Sequence, residues 1–283
     1  MIEDETNRIW DLPLVPGGTL EVQSDFATLT LMAVRDGELP SVEARRHLGA
    51  EADVRVTQEG DRTLVRATGP KVKLVLHVPA DVRATVRSAA GRVHAENLAG
   101  GTLDLKTEAG SIMLVNVGGK LTIATEAGKI DGENVRGTLD VRASAGAVRL
   151  EIAHLEPGTH RIRTNVGALR VELARGLAVR VDARTTMGAS KVEFPSTRDA
   201  AATLELTADV GAIKVRESSR LAEAPPPSAA GPYRTSTTSS AAPAHGPTPP
   251  VPEPALDQIL ERVARGELTP AAAADLLREL RRG

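Results

Sequence analysis

Thr107-Glu-Ala-Gly-Ser-Ile112, Thr125-Glu-Ala-Gly-Lys-Ile130, Ala143-Ser-Ala-Gly-Ala-Val148 and Thr164-Asn-Val-Gly-Ala-Leu169 are four copies of one short text. Their glycines belong to a longer series, Gly91, Gly110, Gly128, Gly146, Gly167, Gly188 and Gly211, at intervals of 19, 18, 18, 21, 21 and 23 residues. A period of this size marks stacked supersecondary units. Alternating segments precede the glycines, such as Leu103-Asp-Leu-Lys-Thr107, Leu121-Thr-Ile-Ala-Thr125, Leu139-Asp-Val-Arg-Ala143 and Val179-Arg-Val-Asp-Ala183. Around Gly167 the apolar set shifts phase, from Ile162, Thr164 and Val166 before it to Leu169, Val171 and Leu173 after it. An unbroken strand cannot change phase, because its side chains alternate strictly between two faces. The glycine is therefore a corner at which the chain turns while keeping one side inward. Two short strands per unit, joined by that corner and by a second turn (Ala99-Gly-Gly101, Gly118-Gly119, Arg136-Gly137), describe one coil of a β-solenoid stacked ~4.8 Å from the next. An antiparallel β-sandwich is the alternative, since it too uses short strands and glycine turns.

Asn97, Asn116 and Asn134 each follow their glycine by six residues, which predicts an Asn ladder whose amides bond along the stack. Ile112, Ile130, Val148 and Leu169 are expected to form one buried row. Towards the N-terminus strands are predicted at 19–22, 27–34, 53–57, 63–67 and 71–78, bounded by turns such as Pro16-Gly17-Gly18 and Glu59-Gly60-Asp61. Ser41–Ala52 is read as a short helix or a loop.

Composition changes near Glu217. From Leu221 to Pro254 the chain is crowded with Pro, Ala, Ser and Thr, and so poor in branched apolar residues that it predicts a disordered linker. Beyond it, Leu256, Ile259, Leu260 and Val263 recur at helical spacing, and Leu276, Leu277 and Leu280 form a second stripe. Gly266 ends the first helix, and Thr269-Pro270 caps and opens the second. The organisation predicted is all-β, a solenoid over 1–216, a linker over 217–254 and a small α-helical hairpin over 255–283. A hairpin this small needs a partner or a copy of itself to cover its stripes, so these seven residues are the candidate partner-binding set.

Composition excludes several functions. One Trp, one Tyr and two Phe in 283 residues leave too few rings for base-stacking platforms or aromatic sugar troughs. A formal net charge of -2 gives no general pull towards nucleic acid or anionic membranes. With no cysteine there is no disulfide, thiol nucleophile or Cys-based metal site. No window reaches the ~18 apolar residues of a membrane span and the start is acidic, so a cytoplasmic chain is expected, with peripheral envelope association left open.

Outward positions predict charge columns. Arg149, Arg170, Lys191 and Lys214 follow their glycines by three residues, and Glu133, Glu151, Glu172 and Glu193 by five. A basic ladder gripping an anion is one reading; mutually offsetting columns on a solvated sheet is the favoured one. Asp104/Lys106, Asp140/Arg142 and Asp182/Arg184 repeat the pairing on the other strand. Glu108 and Glu126 occupy equivalent corners, yet their column continues as Ser144, Asn165 and Thr186, which does not enclose a cation. The six histidines show no ligand spacing and are read as surface residues. There is no G-x-S-x-G or Walker motif, and the corner glycines lack the strand-to-helix setting of a dinucleotide loop. No catalytic residue, cofactor or metal is assigned.

The T/S-x-A-G-x-I/V units, with Val15-Pro-Gly-Gly-Thr-Leu-Glu-Val22 and His77-Val-Pro-Ala-Asp-Val82, resemble the bacterial β-strand-repeat "putative adhesin" or toastrack family over about residues 10–216. The tail, Ile259 to Pro270 running into Ala274-Asp-Leu-Leu277, resembles a SHOCT-like helical module. Here the units read Glu-Ala-Gly or Ser-Ala-Gly where an acidic residue often follows Ser-Gly, and Ala271–Ala274 replaces the acidic opening of the second tail helix. The resemblance implies a non-catalytic scaffold or protein-interaction module, in some relatives tied to envelope-stress signalling. A self-assembling bactofilin-like filament and a β-helix polysaccharide-active enzyme are the alternatives.

Overall fold

The computed structural model describes residues 5–15, 17–35, 37–47 and 53–222. The expected linker beyond 222 and the helical stripes of 255–283 lie outside the described residues. Among the described residues there are twelve strands: β1 Glu5–Asp11, β2 Thr19–Ala33, β3 Ser41–His47, β4 Asp53–Glu59, β5 Arg62–Val78, β6 Arg83–Glu96, β7 Thr102–Val115, β8 Lys120–Leu155, β9 Gly158–Arg175, β10 Val179–Met187, β11 Ser190–Glu193 and β12 Ala202–Ala222. From β2 through β6, β7, β8, β9 and β12 to β10, neighbouring strands pair parallel. Gly91 lies opposite Gly110, Gly110 opposite Gly128, and Gly146 opposite Gly167. Such parallel stacking is a solenoid; the antiparallel sandwich does not form.

Alternating aliphatic residues on both sides of each corner fill a continuous core. Ile112, Ile130, Val148 and Leu169 are all 0% exposed, as are Leu103, Leu105 and Ile162. Each such side chain contributes about 1.5–3 kcal/mol through burial. Beside the corners the inward position is often hydroxylic: Ser88 Oγ and Thr107 Oγ1 each donate to the carbonyl two residues on, both at 3.2 Å.

Three features depart from the expectations. Ser41–His47 is neither helix nor loop but strand β3, antiparallel to β1 and β5. Val42 and Ala44 give it an inward face, too short a pattern to show periodicity before its partners are known. The stacking order also differs from chain order at both ends. The sheet runs β1-β3-β5-β2-β6-β7-β8-β9-β12-β10, so β2 lies between β5 and β6, and β12 between β9 and β10. Finally, β12 continues to Ala222, past the boundary expected at 216. Arg175 pairs with Glu217 at 3.2 Å, and Ser218 Oγ accepts the N–H groups of Arg220 and Leu221 there.

Both ends of the stack carry covering segments. At one, β3 and β4 pair antiparallel with β5. At the other, the chain after β11 folds back on β10: Thr197 N–H donates to Val179 O, and Val181 N–H to Ser196 Oγ, both at 3.0 Å. Phe194, at the start of this return, is 8% exposed within the core.

Candidate interaction surface

The Asn positions sit at a second corner. Asn97, Asn116 and Asn134 have φ of 58°, 54° and 53°. Asn tolerates this left-handed region better than other side-chain-bearing residues. Asn116 Nδ2 donates to Asn97 Oδ1 at 3.0 Å, and Asn134 Nδ2 to Asn116 Oδ1 at 2.5 Å. Asn116→Ala, which loses both amide bonds and strains the backbone, is expected to cost about 2 kcal/mol, and Asn116→Gly, which keeps the backbone, about 1 kcal/mol. Urea denaturation checks the order; equal costs would leave the amide column without energetic weight.

On the outer face of the second half-strands, Arg149 stands opposite Arg170, Arg170 opposite Lys214, and Lys214 opposite Lys191. The four cations are thus neighbours, in an order set by the insertion of β12. The same insertion breaks the acidic column. Glu151 faces Glu172, but Arg216 stands between Glu172 and Glu193. Arg216 forms an ion pair with Glu172, which raises the guanidinium pKa, chiefly through that hydrogen bond. Burial and then the Glu172 charge push the Glu151 carboxyl up, while Arg220 at 3.9 Å opposes them. The hydrogen bond from Lys191 holds the Glu193 carboxyl low, with Nζ at 2.5 Å and Lys214 at 3.9 Å. Arg149 and Arg170 have no ion pair to another described residue.

On the first half-strands, Arg142 pairs with Asp140 at 2.9 Å, whereas Asp182 pairs with Arg180 at 3.2 Å rather than with Arg184. Arg161 reaches Glu205 at 3.1 Å across strands. Glu108 and Glu126 are both exposed. Glu108 borders a shallow recess with Arg87, Lys106 and Asp25, a lining that does not include Glu126. No group of three His, Cys, Asp or Glu able to hold a metal is found among the described residues.

His160 corrects the surface reading of the histidines, because it is 0% exposed. Leu139 N–H donates to its Nδ1 at 3.2 Å, leaving the proton on Nε2, which donates to Glu156 O at 2.7 Å. The ring is a neutral clamp between coils, and its neighbourhood was not readable from spacing. Burial lowers its pKa below the ordinary 6.5, against the opposing Glu156 carbonyl. The unfolded chain therefore takes up a proton as pH falls through about 6.5 while the folded chain resists. Stability is fully present above that pH and declines below it, towards the lowered folded value. Denaturation midpoints from pH 8 to pH 5 should fall more steeply for the wild type than for His160→Gln; parallel profiles would contradict the neutral clamp.

Val166, read from the sequence with Ile162 and Thr164 as one apolar set, leaves that set and faces outward, while the residues before Gly188 and Gly211 were not singled out by sequence. Val166, Val210 and Met187 are 54%, 44% and 65% exposed, and stand opposite one another in that order. Equivalent positions in earlier coils hold Ala90, Ala109, Ala127 and Ala145.

Residues 50–217 match the family described as Toastrack DUF4097. A comparison with curated proteins finds no match. Among solved structures, a "putative adhesin" from Bacteroides fragilis is similar at 11% identity and a TM-score of 0.46, covering 76% of this chain and 98% of that one. A "putative cell adhesion protein" from Clostridium sporogenes is similar at 11% identity and a TM-score of 0.33, covering 76% of this chain and 100% of the other.

Proposed function

The chain belongs to the Toastrack DUF4097 family, and from that premise we propose that it is a non-enzymatic protein-interaction scaffold. The observation that carries the reading is the rigid, in-register outer face. Arg149, Arg170, Lys214 and Lys191 are fixed on adjacent strands above a core packed with aliphatic side chains, which suits display better than enclosure of a substrate. The tail, 255–283, is the second binding element of this proposal. Its stripes of Leu256, Ile259, Leu260 and Val263 and of Leu276, Leu277 and Leu280 dock on a protein partner or on another copy. The Pro- and Ser-rich tether lets the two elements bind separately while each raises the effective concentration of the other's target.

A cytoplasmic, membrane-peripheral role in envelope-stress signalling belongs to the same proposal and is supported by the resemblance alone. No helix among the described residues is long and apolar enough to cross a membrane. The covering segments at both ends of the stack weigh against a bactofilin-like filament built by coil-on-coil stacking. Affinity capture and sedimentation of the full chain beside a chain ending at residue 254 test the proposal. Loss of the partner or of self-association on truncation is expected; identical behaviour of the two chains would remove the tail from the mechanism.

A further inference from the structure

Two outward columns change character at the coil of Gly146, and a third follows one coil later. Before it, the position after each glycine holds Arg92, Ser111 and Lys129; from it onward the position holds Ala147, Ala168, Ala212 and Ala189. Three residues after the glycine, His94, Met113 and Asp131 give way to Arg149, Arg170, Lys214 and Lys191. From the next coil onward the position before the glycine changes from alanine, Ala145 being the last, to Val166, Val210 and Met187. Solvation explains an exposed cation column, but it does not explain why bulky apolar residues appear beside it, 44–65% exposed, where the repeat otherwise places alanine.

From this coincidence the geometry points to a docking strip on the last four coils for a partner's amphipathic helix, one whose apolar stripe is flanked on one side by carboxylates. The inference rests on the scaffold reading above and names the surface and the partner chemistry.

Spacing and charge select this occupant. The strip repeats every ~4.8 Å from coil to coil, and a helix lying along it repeats every ~5.4 Å. Over three turns each turn meets one coil, with an apolar side chain against Val166, Val210 or Met187. An extended strand would present same-side residues every ~6.8 Å and fall out of step by the second coil. The alanines allow the helix to approach closely. Arg149 and Arg170, which have no ion pair to a described residue, then face the carboxylates of the partner. A flat anionic lipid surface fits less well: Glu151, Glu172 and Glu193 lie just beyond the cations, and Asp209 borders the other side of the ridge. A helix ~10 Å across covers the strip and the cations without reaching the glutamates.

The test uses the full chain and a fluorescein-labelled designed 14-residue helix with leucines on one stripe and glutamates along one flank, read by anisotropy. Binding is expected, and it should weaken about tenfold or more with the pair Val166→Glu and Val210→Glu, and likewise with Arg149→Glu and Arg170→Glu. Arg92→Glu, on the same face in an earlier coil, should leave affinity unchanged. All these positions are outside the core, so unchanged thermal melting separates lost binding from lost folding. No binding, equal binding of a lysine-flanked helix, or affinity indifferent to both pairs would overturn the assignment. So would preferential binding to vesicles of anionic phospholipid, or a dimer of the full chain that the valine pair dissolves. If tail-dependent partner capture persists while the designed helix fails to bind the wild-type chain, the scaffold reading stands and the strip alone is wrong.

Discussion

Gly146→Ala is expected to destabilise the protein by about 4 kcal/mol or more, enough to unfold a domain of ordinary stability at moderate urea. Two effects add. The corner backbone has φ of 139°, a region that side-chain-bearing residues enter only with strain. A Cβ there would also press into the carbonyl oxygen of Gly128 in the coil beneath, and backbone on a parallel stack cannot swing aside as a side chain can. Gly158 separates the two contributions. Its φ is 130°, but a Cβ would meet nothing within 4 Å. Gly158→Ala should therefore cost only the backbone strain, about 1–2 kcal/mol. Chemical denaturation of both variants checks the ranking. Similar losses would show that corner conformation, not the closeness of stacked coils, makes glycine necessary.

Phe194→Ala should cost about 3 kcal/mol, the loss expected when a buried aromatic ring leaves a core. The position matters beyond that sum. Phe194 begins the segment whose Ser196 and Thr197 hold the β10 backbone, and the final coil is already poorly filled, with Val192 41% exposed and Val181 and Ala183 half-buried. Removing the ring should loosen this return and expose the edge of β10, so sedimentation at rising concentration should show more self-association than the parent, and should do so in a chain ending at residue 254 as well. A variant of parental stability and parental sedimentation would show that the segment after β11 does not close the stack.

The middle coils were legible because glycine spacing and strand phase report the same geometry twice. Gly110 to Gly167, the row from Ile112 to Leu169 and the Asn positions all follow from one repeat length and from the requirement that aliphatic side chains keep one side inward. The ends were not. The intervals leading to Gly188 and Gly211, 21 and 23 residues, look like two more successive coils, and periodicity cannot say that the later coil slides beneath the earlier one. A trace of the exchange does exist in the chain: from Gly128 onward Arg216 occupies a column otherwise filled by Glu133, Glu151, Glu172 and Glu193, and inserting it between Glu172 and Glu193 separates two carboxylates. Strand β3 was hidden for another reason, since Arg45, Arg46 and His47 follow its two small inward residues and its partners lie far away in sequence. The docking strip escaped because an apolar residue beside a corner glycine looks like core until its exposure is known.

The account depends on β12 lying between β9 and β10, the order that sets Val210 between Val166 and Met187 and Arg216 between Glu172 and Glu193. The chain has no cysteine, so an engineered pair reads the order without background. Adjacent parallel strands place opposite residues ~4.8 Å apart, within disulfide range, while strands one further away lie at ~9.6 Å, beyond it. Oxidation of Glu172→Cys/Arg216→Cys should give a quantitative intramolecular disulfide, and Glu172→Cys/Glu193→Cys should remain reduced. The reverse result would mean that the coils stack in chain order, which would dismantle the interrupted glutamate column and change the order of side chains along the proposed strip.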